Sequence, residues 1–293
     1  MAEVSSARAI GQEFLFTAQD FARLRAMIYR RAGISLSEQK QEMAYGRLAR
    51  RLRVLGYTAF SAYLDDLERD PSSEEWVNFT NALTTNLTSF FREAHHFAML
   101  EEYLRSITPP VRIWCAASST GEEAYSIAMT ACEVWDTLSP PVNIVASDID
   151  TNVLATAERG VYAAERVNRL SPQRIRRFFL KGAGKNAGLV RVRPELRRMI
   201  QFEQINLLDE RWPDHGPYDA IFCRNVMIYF DKPTQTGVLA RFASVMKPGG
   251  WLFAGHSENF INISSDFALL GKTVYVLRES VSRARMDTAR GMR

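Results

Sequence analysis

The sequence predicts an α/β protein, a mostly parallel sheet covered on both faces by helices and preceded by a separate all-helical domain. Three observations support this. Residues 17–84 show only the helical period of apolar residues. From residue 111 onward, short apolar runs alternate with amphipathic stretches, the pattern of strand–helix–strand units. The first of these units, 111–150, is strand, small-residue turn, helix, strand and terminal acid, the layout of a nucleotide-binding half of a doubly wound sheet.

Residues 1–16 form a flexible N-terminus in this reading. Its start, Met1-Ala2-Glu3-Val4-Ser5, lacks the basic flank and apolar core of a signal peptide. Thr17-Ala18-Gln19-Asp20 is a capping-box pattern ahead of Phe21, Leu24, Met27 and Ile28, and Gly33 ends that helix. Ser35-Leu36-Ser37-Glu38 repeats the device before a helix running to about Leu55, closed by Gly56. Two further helices are expected at about 58–69 and 72–83, divided by Asp70-Pro71. These complete a helical domain over 17–84. Residues 85–110 then serve as linker and helix, a polar segment leading into Phe90-Phe91-Arg92-Glu93 and a helix running to about Ser106, and Pro109-Pro110 introduces the first strand.

The sheet domain spans 111–279. Expected elements are strand 111–116, helix 121–136, strand 142–148 and helix 151–159, then an inserted hairpin or small antiparallel subdomain over 160–200, where Gly182, Gly184 and Gly188 punctuate short stretches. Strands follow at 200–205 and 218–223, a helix at 233–246 stopping at Lys247-Pro248-Gly249-Gly250, and strands at 251–256 and 272–278 joined by a loop-like linker. That last connection is too short for a helical crossover, so the final strand should run antiparallel. Residues 280–293 read as a disordered basic tail.

Composition sets the class. An apolar fraction of 46% suits a globular protein, and no run reaches the ~18 apolar residues of a membrane helix. Cys115, Cys132 and Cys223 are odd in number and widely spaced, as in reduced cytoplasmic thiols. The four histidines show no ligand spacing, so no metal is expected. Net charge is only +4, but its distribution is uneven. Phe21–Tyr57 holds nine basic residues against two acids, whereas Thr58–Thr80 holds six acids against Arg69 alone. Lys40, Arg47 and Arg51 form a stripe on the second helix with Arg50 beside them. Such a patch is either a solvated face or a docking surface for an anionic partner.

The turn after the first strand selects the cofactor. A pyrophosphate site wants glycines against a helix N-terminus. Here one glycine, Gly121, is followed by Glu122 and Glu123, which would repel phosphate and favour the cationic amino-acid end of S-adenosylmethionine. Complementing the helix dipole explains one of the two acids by itself. Asp148 is placed either to accept ribose hydroxyls or to cap the next helix. Asn206-Leu207 is placed to flank an adenine. Arg224 to Tyr229 follow a buried strand at its C-terminal end, where open α/β sheets bind ligands. No nucleophile set or paired catalytic carboxylates can be assembled. A carboxylate acceptor, ionised near neutral pH, requires none.

The strings NALTTNLTSFFREAHHF (81–97), AASSTGEEAYSIA (116–128), ASDID (146–150), DAIFCRNVMIYFDK (219–232) and LFAGHSENF (252–260) closely resemble the CheR family of chemotaxis receptor glutamate O-methyltransferases. The resemblance covers about residues 17–278. It implies a Rossmann-like S-adenosylmethionine-dependent sheet with an antiparallel β-subdomain insert, and methylation of glutamates on chemoreceptor cytoplasmic helices, with S-adenosylhomocysteine as product. Carried over by matching motif, Asn86, Thr88, Arg92, Ala116, Glu123, Asp148, Asn206, Leu207, Cys223, Arg224 and Asn225 bind the cofactor, with Arg92 and Tyr229 catalytic. Lys40, Arg47, Arg50, Arg51 and Arg53 would bind the receptor. The full-length Lys181–Gly188 loop favours docking of a receptor C-terminal peptide on the insert. A cytoplasmic monomer with no nucleic-acid partner and no direct membrane insertion is expected. The alternatives are a nucleic-acid methyltransferase, which lacks its Asn-Pro-Pro-Tyr-type motif here, and a non-catalytic cofactor-binding module.

Overall fold

The computed structural model describes residues 13–278, so the expectations for 1–12 and for the 280–293 tail lie outside the described residues. The chain divides into two compact units, 1–85 and 86–293.

The first unit holds α1 (Ala18–Ala32), α2 (Gln41–Leu55), α3 (Phe60–Arg69) and α4 (Glu75–Leu83). The capping box is real: the Asp20 amide donates to Thr17 Oγ1 at 3.1 Å and the Thr17 amide donates to Asp20 Oδ2 at 2.9 Å. Gly33 and Gly56 close α1 and α2 with φ of 69° and 77°, where a Cβ would be strained. Ser37 makes no side-chain cap; it precedes a short 3-10 turn, Glu38–Lys40, and α2 follows. The flexible N-terminus expected over 1–16 is corrected for its described end. Phe14 and Phe16 are buried, and the Phe16 ring lies 4.2 Å from that of Phe60. Aromatic burial holds this stretch against α3.

In the second unit, α5 (His95–Ser106) leads into β1 (Val111–Ala116), α6 (Glu122–Val134), β2 (Val142–Asp148) and α7 (Thr151–Arg159). The insert is a small antiparallel subdomain of β3 (Val161–Ala163), α8 (Pro172–Phe178), β4 (Phe179–Lys181), β5 (Leu189–Val192) and α9 (Pro194–Arg198), with strand order β3-β5-β4. The main chain then adds β6 (Ile200–Gln204), β7 (Tyr218–Cys223), α10 (Lys232–Val245), β8 (Met246–Ala254), β9 (Phe267–Gly271) and β10 (Val274–Leu277). The large sheet runs β6-β2-β1-β7-β8-β10-β9; the first five strands are parallel and β10 is antiparallel to β8, as expected. Ile113, Cys115 and Phe222 pack on one face, Trp114, Ile221 and Leu252 on the other. Burial on both faces explains why these strands read as continuous apolar runs.

Phe90-Phe91-Arg92-Glu93 leads into α5 without joining it, because Phe91 and Glu93 take left-handed φ of 52° and 57°. Two elements depart from the expected pattern. Lys247-Pro248-Gly249-Gly250 lies inside β8 as a register shift, not between helix and strand; Lys247 Nζ donates to Asp219 Oδ1 at 2.7 Å, and a Cβ on Gly250 would sit 2.9 Å from the Asp219 carbonyl oxygen. The linker before the last strand contains β9, turned into β10 by Lys272 and Thr273 with φ of 48° and 61°.

The register brings the working edge together. Ala116 pairs with Ser147 on one side and Cys223 on the other, Cys223 with Ala254, and Asp148 with Gln204. After β1 the chain builds outward to β2 and β6, then returns to place β7 on β1's other side. The strand order therefore reverses at β1/β7, which is where such sheets form a ligand crevice at their carboxyl ends.

Candidate active site at the strand ends

Above β1, backbone shape makes room for a ligand. Ala117, Ser119 and Gly121 all have positive φ, and a Cβ on Gly121 would lie 2.7 Å from that of Ala157. The two acids that follow part company. Glu122 is buried, accepts from Thr120 Oγ1 at 2.6 Å and pairs with Arg166 of the insert, which also donates to the Thr88 carbonyl at 3.1 Å. Glu123 faces the strand ends: its Oε2 meets Arg224 at 2.5 Å, and Cys115 Sγ lies 3.4 Å from its Oε1. Glu122 is therefore structural, and Glu123 is the acid left at the crevice.

Arg224, with its side chain 1% exposed, stands between two carboxylates, Glu123 and, at 3.1 Å, Glu93. It also donates to the Arg92 carbonyl at 2.6 Å. Burial pushes the Glu93 carboxyl up, but the Arg224 charge and hydrogen bonding from Arg224 and His256 outweigh it and bring its pKa down to about 2. His96 is neutral, with a pKa lowered to about 4 by burial and then by the Arg224 charge. Two acids, Glu93 and Glu123, thus flank one buried guanidinium, and Arg92 is the next cation. Arg92, half-buried, lies outside this trio, its Nε 4.0 Å from Glu93 and its Nη1 donating to the Leu87 carbonyl at 2.9 Å.

At the end of β2 the buried Asp148 carboxylate accepts from the amides of Ser119 at 2.8 Å and Asp150 at 3.0 Å. Burial raises its pKa to about 6 against these bonds. The capping alternative goes to Asp150, which accepts from the amides of Asn152 and Val153 at the start of α7 and, at 2.8 Å, from Asn86 Nδ2. The Asn86 carbonyl in turn accepts from Ser119 Oγ at 3.2 Å. Asn206 and buried Leu207 follow β6 directly, and the Ile205 amide donates to the Asp148 carbonyl at 3.2 Å. Tyr229 sits in a short 3-10 turn, Met227–Tyr229, beyond Asn225; its hydroxyl has no partner among the described residues.

Contacts group Arg92, Glu123 and Arg224, and separately Asn86 with Asp148 through Ser119 and Asp150; the Thr88 carbonyl meets Arg166 of the insert, Ala116 and Cys223 end β1 and β7, and Asn225 follows β7. Glu93, Asp150 and Glu258 were missed as site residues. Glu258 is buried and accepts from the amides of Asn225 at 3.0 Å, Met227 at 2.8 Å and Gly255 at 2.5 Å, fixing the turn that carries Tyr229. Glu93 and Glu258 stand in the strings quoted above; nothing local in them announces burial. Glu93, His95 and His96 also bring three potential metal-ligand atoms within 4.8 Å, but Glu93 is paired with Arg224 and His96 Nε2 meets the Lys272 carbonyl at 2.9 Å.

A family model described as CheR methyltransferase, SAM binding domain, matches residues 86–276, and one described as CheR methyltransferase, all-alpha domain, matches residues 19–84. The chain belongs to the CheR methyltransferase family. A chemotaxis protein methyltransferase of Klebsiella aerogenes is 55% identical over 257 residues, covering 88% of this chain and 89% of the relative. Chemotaxis protein methyltransferase 2 of Pseudomonas aeruginosa is 52% identical over 267 residues, covering 90% and 95%. This CheR methyltransferase is therefore an enzyme of chemotaxis that uses S-adenosylmethionine, and the cradle fits that cofactor. Glu123 at the crevice suits the ammonium of the amino-acid end, and Asp148 at a strand end suits ribose hydroxyls.

The five basic residues of the first unit are not equivalent. Arg51 makes paired bonds to Glu75 at 2.6 and 2.5 Å, Arg47 donates to the Ala82 and Thr84 carbonyls, and Arg53 pairs with Glu13. These three tie α2 to α4 and to the N-terminal segment. The side chains of Lys40 and Arg50 are exposed and have no partner among the described residues.

Proposed function

We propose that this enzyme transfers the methyl group of S-adenosylmethionine to glutamate side chains on the cytoplasmic helices of bacterial chemoreceptors, leaving methyl esters. The observation that carries it is the state of the acids at the crevice. Glu93 and Glu123 are held by Arg224, Asp148 by backbone amides, and His256 by Glu93 at 3.2 Å. An acceptor with a proton to lose would find these groups already engaged; a glutamate carboxylate, ionised at neutral pH, needs no base.

When bound, the cofactor supplies an electrophilic methyl on a sulfonium. The chain's part is placement: Glu123 and its Arg224 partner at the amino-acid end, Asn86 and Thr88 beside it, Asp148 at the ribose, Asn206 and Leu207 at the adenine. Arg92 and the unpartnered Tyr229 hydroxyl hold the acceptor carboxylate in line while its solvation is reduced. Alignment of this kind supplies about 7–11 kcal/mol without acid–base chemistry. The test is incubation with methyl-tritiated cofactor and receptor cytoplasmic fragments, the label being released as methanol by mild base. Base-stable label, or label on nucleic acid alone, would overturn the ester reading.

Receptor docking falls to the free cations of the first unit. Lys40→Glu with Arg50→Glu is expected to raise the KM for receptor fragments about tenfold while KM for the cofactor stays unchanged, and added salt should weaken wild-type docking in parallel. Arg51→Glu should instead lower thermal stability, because it sets two acids against each other at Glu75. Unchanged receptor KM in the double variant would remove α2 from the docking surface. The insert leaves β3 and β4 as sheet edges. An extended receptor C-terminal peptide is proposed to dock on this subdomain, since an exposed edge can accept an added strand.

A further inference from the structure

We infer that Glu93 is a positioning residue that sets the charge of the cofactor cradle, making it selective for ligands that carry an ammonium group. Glu93 does not need to touch the ligand to do this. Its carboxylate ties its own segment to two others: it meets Arg224 at 3.1 Å and Asn225 Nδ2 at 3.5 Å after β7, and His256 Nδ1 at 3.2 Å after β8, with the adjacent Arg92 Nε at 4.0 Å. Its backbone adopts a left-handed φ of 57°, a conformation that a glutamate holds only where its surroundings impose it. The side chain is 12% exposed, as is that of Glu123, so the Coulombic coupling is weakly screened.

The charge count gives Glu93 its role. With Glu93 ionised, Arg224 is shared between two acids and Glu123 keeps part of its negative charge for an incoming ammonium. With Glu93 neutral, Arg224 satisfies Glu123 alone, and the cradle offers a cation nothing. Glu93 thus acts on the ligand through Arg224 and Glu123.

This rests on the cofactor placement proposed above, and the test separates the two. Titration of wild type, Glu93→Gln and Glu93→Asp with S-adenosylhomocysteine and with 5′-methylthioadenosine, which lacks the amino-acid end, reads the selectivity. Glu93→Gln is expected to weaken S-adenosylhomocysteine about tenfold, because the Glu123 contact to the ammonium is weakened and no contact of Glu93 itself is lost, and to leave 5′-methylthioadenosine within about twofold. Glu93→Asp restores the charge and should recover most of the preference, which keeps the test open if the glutamine variant folds poorly. Equal weakening of both ligands in either variant, or no change in the glutamine variant, overturns the inference. If wild type itself binds both ligands equally, the placement of the amino-acid end at Glu123 fails instead.

Discussion

Replacing Arg224 with methionine is expected to cost about 3–5 kcal/mol of folding stability and to abolish cofactor binding. The magnitude is that of removing one partner from a buried ion pair, which leaves uncompensated charge in a low-dielectric site. Here the remaining charges are Glu93 and Glu123, two carboxylates previously held by one guanidinium with its side chain 1% exposed. Methionine fills similar volume, so the loss should be electrostatic rather than a cavity effect. Lysine should not rescue it, because one ammonium cannot reach both acids and the Arg92 carbonyl with the geometry of the planar fork.

Two measurements check this. Chemical denaturation should show a lower midpoint with an unchanged slope. Adding Glu93→Gln to Arg224→Met should recover part of the loss by removing one of the two like charges, a non-additivity expected of groups in one network. The wild-type pH profile follows with a definite sign. The folded pKa of Glu93 is depressed to about 2 from 4.5, so its contribution is fully present above 4.5 and is lost as pH falls from there toward 2. Arg224→Met should lack that acid-side loss. Strict additivity of the two substitutions would separate Glu93 from the network.

What was legible in the sequence divides along physical lines. β1, β2, β7 and α7 appear at 111–116, 142–148, 218–223 and 151–159, as expected, because strands buried on both faces leave unbroken apolar runs and Gly160 marks a helix end. α1 was legible from its capping box. Features set by distant partners were not. Arg47 and Arg51 read as a free stripe, yet their partners lie 24 to 37 residues away on and after α4. The β9–β10 turn takes positive φ at Lys272 and Thr273, without the Asn-Gly signature that announces such turns. The site followed the same rule: Glu123 and Asp148 were readable from their place beside a turn and at a strand end, whereas Glu93 gains its role only when β7 delivers Arg224 to it.

Asp148 carries the second large effect, a loss of cofactor affinity in mild acid. Burial raises its pKa to about 6, even though the amides of Ser119 and Asp150 donate to it. Below that value the ligand-free carboxyl is protonated and presents a donor where ribose hydroxyls need an acceptor. Binding then requires release of one proton, so affinity for S-adenosylhomocysteine should fall about tenfold per pH unit below 6 and level off above it. The linkage to folding has the opposite sense. A raised carboxyl pKa favours the folded state most below 3.8, and that contribution disappears as pH rises through 6; the bound cofactor restores it by pulling the pKa down. Calorimetric titration from pH 5 to 8 in buffers of different ionisation enthalpy should therefore show proton release that vanishes above about pH 7. Asp148→Asn should bind about a hundredfold more weakly at pH 7.5 and lose the pH dependence. A wild-type affinity that is flat between pH 5 and 7.5 would mean that Asp148 does not receive the ribose, and that its burial serves only to anchor the Ser119 turn.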